Sequence, residues 1–392
     1  MLDTPPTVLV VPDSFKGCLP AADVAAAMAQ GVELALGDNS TIIQLPFADG
    51  GEGTLDALTA HWAVAPRQIN TVDAVGRPRI ARYGISTDST TGIIEAAEAN
   101  GLPHVADLPS RPMRADSFGV GIIARELLDR GVDEILLCIG GSASTDGGTG
   151  ILRALGASFL DSAGNEVPPG GGGLAHVYEI DDTKLHPRAR QVMWRIATDV
   201  DNPLCGKHGA AEVFGPQKGA SPSEVAVLDA GLARLAKVLD EKTGMDVSNR
   251  AGTGAAGGVP ACLVPLVGAE MVPGADLVAD VVGLRALAEP ADLILTGEGA
   301  FDAQSLRGKV VQGVLRAAPV GVPVVVIAGS VGLTASESRA AGVTAAFSIA
   351  TGPSDLAGLA RDASSLIQDV ATHVTSLFTK SCLHKSQVGQ EI

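Results

Sequence analysis

Aromatic residues are scarce in this chain of 392 residues, which has 8 Phe, 2 Tyr and 2 Trp. The core must therefore be built from Ala, Val, Leu and Ile. Charge is scarce as well, at 18% of residues against a usual figure of about 25%. Positive charge is the shorter of the two: 28 Lys and Arg face 44 Asp and Glu, which leaves a formal charge of −16. A field of that sign repels nucleic-acid phosphates and argues against DNA or RNA as a partner. It does not exclude small anionic substrates, because backbone N–H groups at helix N-termini bind anions inside acidic proteins. The five cysteines are odd in number, widely spaced and free of any C-x-x-C pair, so neither a zinc ribbon nor a disulfide framework is indicated. The opening MLDTPPTVLVV carries an acid and two prolines where a signal peptide would carry Lys or Arg. No apolar run approaches the roughly 18 residues of a membrane span. The expectation is a soluble, cytoplasmic protein without a membrane partner.

What the chain has in abundance is small apolar residues and 48 glycines. That composition suits tightly packed strand–helix units with glycine-rich turns. At roughly 100–200 residues per domain the length favours two domains. The N-terminal stretch alternates strand and helix: Thr7–Val11, Ala21–Leu36 with Gly37 as its stop, Thr41–Leu45, Leu55–Trp62. The C-terminal stretch does the same, with strands at Asp292–Leu295, Val324–Ala328 and Ala345–Ile349 and helices near Val310–Ala317 and over Leu356–Phe378. Between them the pattern is less regular. Strands are expected at Gly92–Ala97, Glu134–Ile139 and Trp194–Thr198, and helices at Phe118–Arg130, Pro222–Lys242 and Ala255–Gly268. Pro168–Gly173 reads as a turn or flexible loop. Two similar ends around a different middle predict an α/β protein. Residues 1–72 and 275–380 would form a discontinuous Rossmann-like outer domain, 73–274 an inserted α/β domain, and 381–392 a frayed tail.

Five loops combine glycine or proline with an acid and follow an expected strand. They are PDSFKG (Pro12–Gly17), DGGEGT (Asp49–Thr54), GGSASTDGG (Gly140–Gly148), TDVDNP (Thr198–Pro203) and TGEG (Thr296–Gly299). Ligands of open α/β sheets bind at the carboxyl ends of strands. Glycine lets the backbone approach a phosphate and aim N–H groups at it. Neighbouring carboxylates can hold Mg²⁺. The five loops together therefore predict a phosphate-plus-metal site. No G-x-x-x-x-G-K-[ST] is present. Gly252–Gly257 does spell G-x-G-x-x-G, but no strand precedes it, so close packing is the better reading than a dinucleotide site.

The segments VVPDSFKG, PFADGGEGT, IGGSASTDGGTG, ATDVDNPLCG, FGPQKGA, GTGAAGG and LTGEGAFDAQSLRGK, in this order, resemble the motif series of bacterial glycerate kinases from about Val8 to Ser348. The resemblance implies an active site in the cleft between the outer and inserted domains. It also implies transfer of the ATP γ-phosphate to D-glycerate, at the 2-hydroxyl for this branch. Phosphorylation of the 3-hydroxyl stands as the alternative. The chain departs from the family pattern at Cys18, at Ser144-Thr145 and at Ala300-Phe301, where a frequent arginine is absent. Two other classes compete. A dehydrogenase of 2-hydroxy acids would need G-x-G-x-x-G after the first strand, where PDSFKG stands instead. A binding protein on the same fold would not need the loop carboxylates.

Phosphoryl transfer needs positioning, charge neutralisation and a group that takes the hydroxyl proton. Asp199 is the candidate base; a structural Asx-turn before Pro203 is the other reading. Lys16 is the candidate to neutralise the transferred phosphoryl group and Lys218 a second one; each could equally be a solvated surface charge. Asp13, Ser14, Gly50, Gly51, Gly140, Gly141 and Ser142 are candidates for phosphate or substrate contact, and Asp201 and Asn202 for orienting the loop or substrate. Asp49, Glu52, Glu298 and Asp302 are candidate Mg²⁺ ligands, of which at most two should touch the ion. Glu52 could instead favour a helix N-terminus, and Asp146 could be an N-cap. The histidines show no metal-ligand spacing. ATP and Mg²⁺ are the expected cofactors, and a homodimer stays open.

Overall fold

The computed structural model describes residues 5–37, 40–108, 112–306, 308–352 and 355–388, with residues 381–388 by backbone alone. The chain divides into two compact units, residues 1–49 with 275–392, and residues 50–274.

The first unit is built on a five-stranded parallel sheet. Its order across the sheet is Ala345–Ser348, Val324–Ala328, Leu293–Gly297, Thr7–Pro12, Thr41–Gln44. The two distant ends of the chain meet in it, with Val8 opposite Leu293 and Pro12 opposite Gly297. Side chains alternate across a strand, and both faces here are covered. Val325 and Ile327 join the core under helices Ala21–Leu36 and Leu356–Val388, while Val326 and Ala328 join a smaller core with Phe301 and Val311. The two covering helices approach closely at Gly31, where an added Cβ would lie 2.6 Å from that of Ala371. From Thr7–Pro12 the chain moves to one side of the sheet for Thr41–Gln44 and later returns on the other side for Leu293–Gly297. The gap between Thr7–Pro12 and Leu293–Gly297 is thus the point where strand order reverses, the usual place for a ligand in such sheets.

The second unit carries a six-stranded sheet in the order Glu270–Val272, Met193–Ala197, Glu134–Cys138, Thr91–Glu95, Pro78–Ile85, Arg67–Val72. Its first four strands are parallel, and the last two form an antiparallel hairpin joined to them. That hairpin sets the unit's edge. Arg67–Val72 pairs along its whole length with Pro78–Ile85, and helix Thr54–His61 lays Leu55 and Thr59 on Gly84 of the same hairpin. Residues 50–72 therefore belong with the middle of the chain, which corrects the boundary expected at residue 72.

Three further expectations need correction. Ala255–Gly268 is not one helix: Ala256 has φ 51° and Gly257 φ 74°, and a separate helix runs over Pro260–Val267. Pro168–Gly173, expected as a turn or flexible loop, is a turn and is tightly packed rather than flexible. An added Cβ on Gly171 would sit 2.3 Å from the Thr145 carbonyl oxygen, and one on Gly173 1.9 Å from that of Pro168. The tail expected to fray from residue 381 continues the last helix to Val388, and residues 389–392 lie outside the described residues.

Candidate active site

In the first unit, the loops after strands Thr7–Pro12 and Leu293–Gly297 flank the reversal point. The Asp13 N–H donates to the Gly297 carbonyl oxygen at 2.8 Å, which pins the two loops together. Asp13 is buried, and its Oδ1 accepts from the Ser14 N–H at 2.6 Å. Lys16 sits on the same loop, 61% exposed, with its Nζ 3.7 Å from Oδ2 of Asp49. Glu298 is buried on the facing loop, and its Oε1 has no hydrogen-bond partner among the described residues. Asp302 is half-buried and folded onto its own turn: its Oδ1 accepts from the Gln304 N–H, and its N–H donates to Ser305 Oγ.

Two of these carboxylates, Asp13 and Glu298, are disturbed by burial and by neighbouring acids. Burial pushes Asp13 up to about 7, helped by the nearby charge of Asp49 and opposed by Lys16. Burial also raises Glu298, with Asp302 and Asp49 adding to it. Burial alone would lower Lys16, but the negative charges of Asp49 and Asp13 outweigh it and hold its ammonium above the usual range. Three acids and one lysine thus gather at the strand-reversal point with their protonation equilibria coupled, a pattern common at functional sites.

In the second unit, the carboxyl ends of four parallel strands lie level. Glu95 is opposite Cys138, Cys138 opposite Ala197, and Ala197 opposite Val272. The Gly140–Ser142 turn follows the second of these strands. It is held by the Leu102 N–H on the Gly141 carbonyl oxygen and by the Ala143 N–H on that of Asn100. Gly50 and Gly51 lie against the same edge. An added Cβ on Gly50 would come 2.6 Å from Ala197 Cβ, and one on Gly140 3.3 Å from Gly51 Cα. Glu52 is exposed in the turn before helix Thr54–His61. Asp199 is exposed beyond strand Met193–Ala197, and its Oδ1 accepts from the Gly274 N–H at 2.8 Å. That partner lies 75 residues away, so the bond is not an Asx-turn before Pro203. Asp201 is exposed; Asn202 is half-buried and donates from Nδ2 to the His208 carbonyl oxygen.

Lys218 is no surface charge. It is 5% exposed and donates from Nζ to Ser142 Oγ and to the Ser144 carbonyl oxygen. Burial brings its ammonium down to about 8, against the pull of Asp146. Asp146 is fully buried and saturated. Its Oδ2 accepts from the Ser117 N–H, Ser117 Oγ and the Gly150 N–H, and its Oδ1 from Ser144 Oγ and the Gly148 N–H. It therefore serves the starts of two helices, Phe118–Arg130 and Thr149–Ala154, rather than capping one. The G-x-G-x-x-G stretch packs beside it: an added Cβ on Gly257 would meet the Ser144 carbonyl oxygen at 2.1 Å, and one on Gly254 that of Pro203 at 2.1 Å. These glycines permit backbone contact and form no dinucleotide fingerprint. Glu95 was not legible as a site residue. A lone acid at the end of a short apolar strand carries no signal by itself.

The described residues contain no helix long and apolar enough to cross a membrane, and no disulfide joins Cys18, Cys138, Cys205 or Cys262. Known proteins match this chain over nearly all its length. It is 37% identical to a glycerate kinase of Halalkalibacterium halodurans, covering 94% of this chain and 97% of that one. It is 39% identical to glycerate 2-kinase of Escherichia coli, covering 88% and 90%. A crystal structure from Salmonella typhimurium LT2, assigned as glycerate kinase 2, superposes with a TM-score of 0.86 at 38% identity, covering 99% of this chain and all of that one. The family model described as the glycerate kinase family matches residues 8–379. On this fold, these loops and that match, the chain belongs to the glycerate kinase family and is a kinase.

Proposed function

We propose that the protein transfers the γ-phosphate of ATP to the 2-hydroxyl of D-glycerate, giving 2-phosphoglycerate and ADP. The observation that carries the reading is the Asp13, Lys16, Asp49 and Glu298 cluster at the strand-reversal point, supported by the family and by a relative named glycerate 2-kinase. The described residues contain no group of three or more His, Cys, Asp or Glu fit to cage a metal. Mg²⁺ in kinases needs no such cage, because it takes one or two carboxylates and completes its shell with water and phosphate. The partnerless Oε1 of Glu298 and the mutual repulsion of its neighbours fit such a half-supplied site. Asp49 and Glu298 would hold the ion, directly or through water, with Asp302 behind Glu298; Glu52 is the weaker candidate because it is exposed in a turn. Bound Mg²⁺ supplies charge neutralisation on the phosphate oxygens.

The chain's own groups do the rest. Lys16 offsets charge on the transferred phosphoryl group, while Asp13 and Ser14 shape the phosphate side of that loop. Gly50, Gly51, Gly140 and Gly141 offer backbone N–H groups, and Ser142 a hydroxyl whose orientation Lys218 fixes. Asp199, steadied by Gly274, orients the substrate hydroxyl and takes its proton, with Asp201 and Asn202 shaping the loop. The protein would work in the cytoplasm. Phosphorus NMR of the protein with ATP, Mg²⁺ and D-glycerate reads both activity and position. A 2-phosphoglycerate signal with ADP is expected. A 3-phosphoglycerate signal moves the reaction to the other hydroxyl, and hydride transfer with a nicotinamide cofactor in place of ADP formation overturns the kinase reading.

A further inference from the structure

Helix Thr54–His61 begins without a cap of its own. Its N-cap residue is Gly53 at φ 94°, a backbone shape that favours glycine and leaves no side chain to accept the first N–H groups. Those donors are met from the sheet. Glu95, at the carboxyl end of strand Thr91–Glu95, is 5% exposed, and its Oε1 accepts from the Leu55 N–H at 3.3 Å; the Thr54 N–H lies near enough to favour its carboxylate while donating to the Gly51 carbonyl oxygen at 3.3 Å. Thr54 is tied back in turn, with its Oγ1 donating to the Gly51 carbonyl oxygen at 2.7 Å. The segment Gly50–Gly53 is therefore held at both margins, by its close approach to Ala197 and Gly274 on one side and by the Glu95-capped helix on the other.

We infer that Glu95 is a positioning residue: its carboxylate anchors helix Thr54–His61 and so keeps the Gly50–Gly53 loop at the carboxyl edge of the sheet. The inference rests on the reading that Gly50 and Gly51 contact substrate. Its surroundings offer it two backbone N–H groups and no direct cation. The facing acids are Asp56 and Glu98, and both are bound by Arg82, while Arg79 donates to the Glu98 carbonyl oxygen. Burial pushes Glu95 up to about 7, with Asp56 and Glu98 adding to it, and the Leu55 and Thr54 N–H groups oppose the rise. The cap is thus strongest above that pH and weakens as pH falls through it.

The test compares the wild type with Glu95→Gln and Glu95→Asp by steady-state kinetics from pH 6 to 8.5, melting temperature and hydrogen exchange of the Thr54 and Leu55 amides. Glu95→Gln should raise the KM for ATP or D-glycerate by about 3–30-fold, the range that loss of a helix cap spans, with kcat within roughly threefold. The wild-type KM should rise below about pH 7 and the Gln variant's should not. Both amides should exchange faster in Glu95→Gln, and Glu95→Asp should recover part of each effect. Unchanged exchange removes the anchor. Faster exchange with both KM values and their pH profiles unchanged leaves the anchor structural only and overturns the positioning role, as does a loss of kcat that merely tracks a lower melting temperature. If the wild type phosphorylates no D-glycerate, the kinase reading fails, and the exchange result still decides whether Glu95 anchors the helix.

Discussion

Two glycine-acid regions of this chain look alike in sequence and are opposite in physics. In the first unit Asp13, Asp49 and Glu298 crowd together, and burial with the nearby acids raises the proton affinity of Asp13 and Glu298. In the second unit Asp146 is more deeply buried, yet its two oxygens accept from two hydroxyls and three backbone N–H groups. A buried carboxylate with that many donors is a structural element. Buried carboxylates with fewer donors and with other acids beside them, as Asp13 and Glu298 are, are under electrostatic stress, and perturbed groups of that kind cluster at functional sites. The difference separates an acid that holds the fold from the acids to which we assign the cation.

The strongest way to break the comparison is at Asp199, an exposed acid that holds one backbone N–H. Asp199→Asn keeps the shape and removes the charge. It should lower kcat by about 10²–10⁴-fold, the range of a general base, with little change in ATP affinity or melting temperature. A folded variant with near-normal kcat would make Asp199 structural and turn attention to Asp201. Next is Lys16→Ala, which leaves Asp13 and Asp49 without their counter-charge. A fall in kcat of about 10²-fold, larger than any rise in the KM for D-glycerate, is expected of a group that meets the transferring phosphoryl. An unchanged kcat returns Lys16 to the surface.

Asp146→Ala sharpens the other side. Several buried donors lose their acceptor at once, so the expected loss is at least about 3 kcal/mol. For a unit of this size that is a fall in melting temperature of roughly 6–12 °C. Residual kcat per folded molecule should stay within a few-fold of normal. Calorimetry alongside active-site titration would show whether the two losses separate. The smallest effect concerns Lys218. Its ammonium is lowered by burial to about 8, so above that pH the folded state gives up a proton that the unfolded chain keeps until near 10.4. Stability then rises with pH between those values. Relative to Lys218→Met, the wild type should gain roughly 1–3 kcal/mol from pH 8 to 10.5 in denaturant titrations. Parallel pH curves would mean that Lys218 keeps its proton in the fold.

Much of the scaffold could be read from local pattern. Helices Ala21–Leu36, Phe118–Arg130 and Val310–Ala317 and strand Val324–Ala328 lie where their apolar periods placed them, and Gly37 and Gly131 end two of the helices at positive φ. The failures share a cause. The hairpin Arg67–Ile85 was not legible, because its outer strand is largely exposed and polar and is stabilised by pairing rather than by its own pattern. The break at Ala256 comes from the packing of Gly257 on Ser144, more than a hundred residues away. Glu95 acquires a task only when helix Thr54–His61 is set above it.

The sequence by itself determined that acids and glycines follow the strands, because strand period and turn chemistry are local properties and motif order survives without coordinates. It therefore determined the family and the kind of chemistry. Only the tertiary structure decided which acid is stressed and which is satisfied. Desolvation and charge repulsion depend on what surrounds a group in space. Asp13, Asp49 and Glu298 become neighbours only when the two ends of the chain share a sheet, and Asp146 and Lys218 gain their partners only when Ser117, Ser142 and Ser144 close around them.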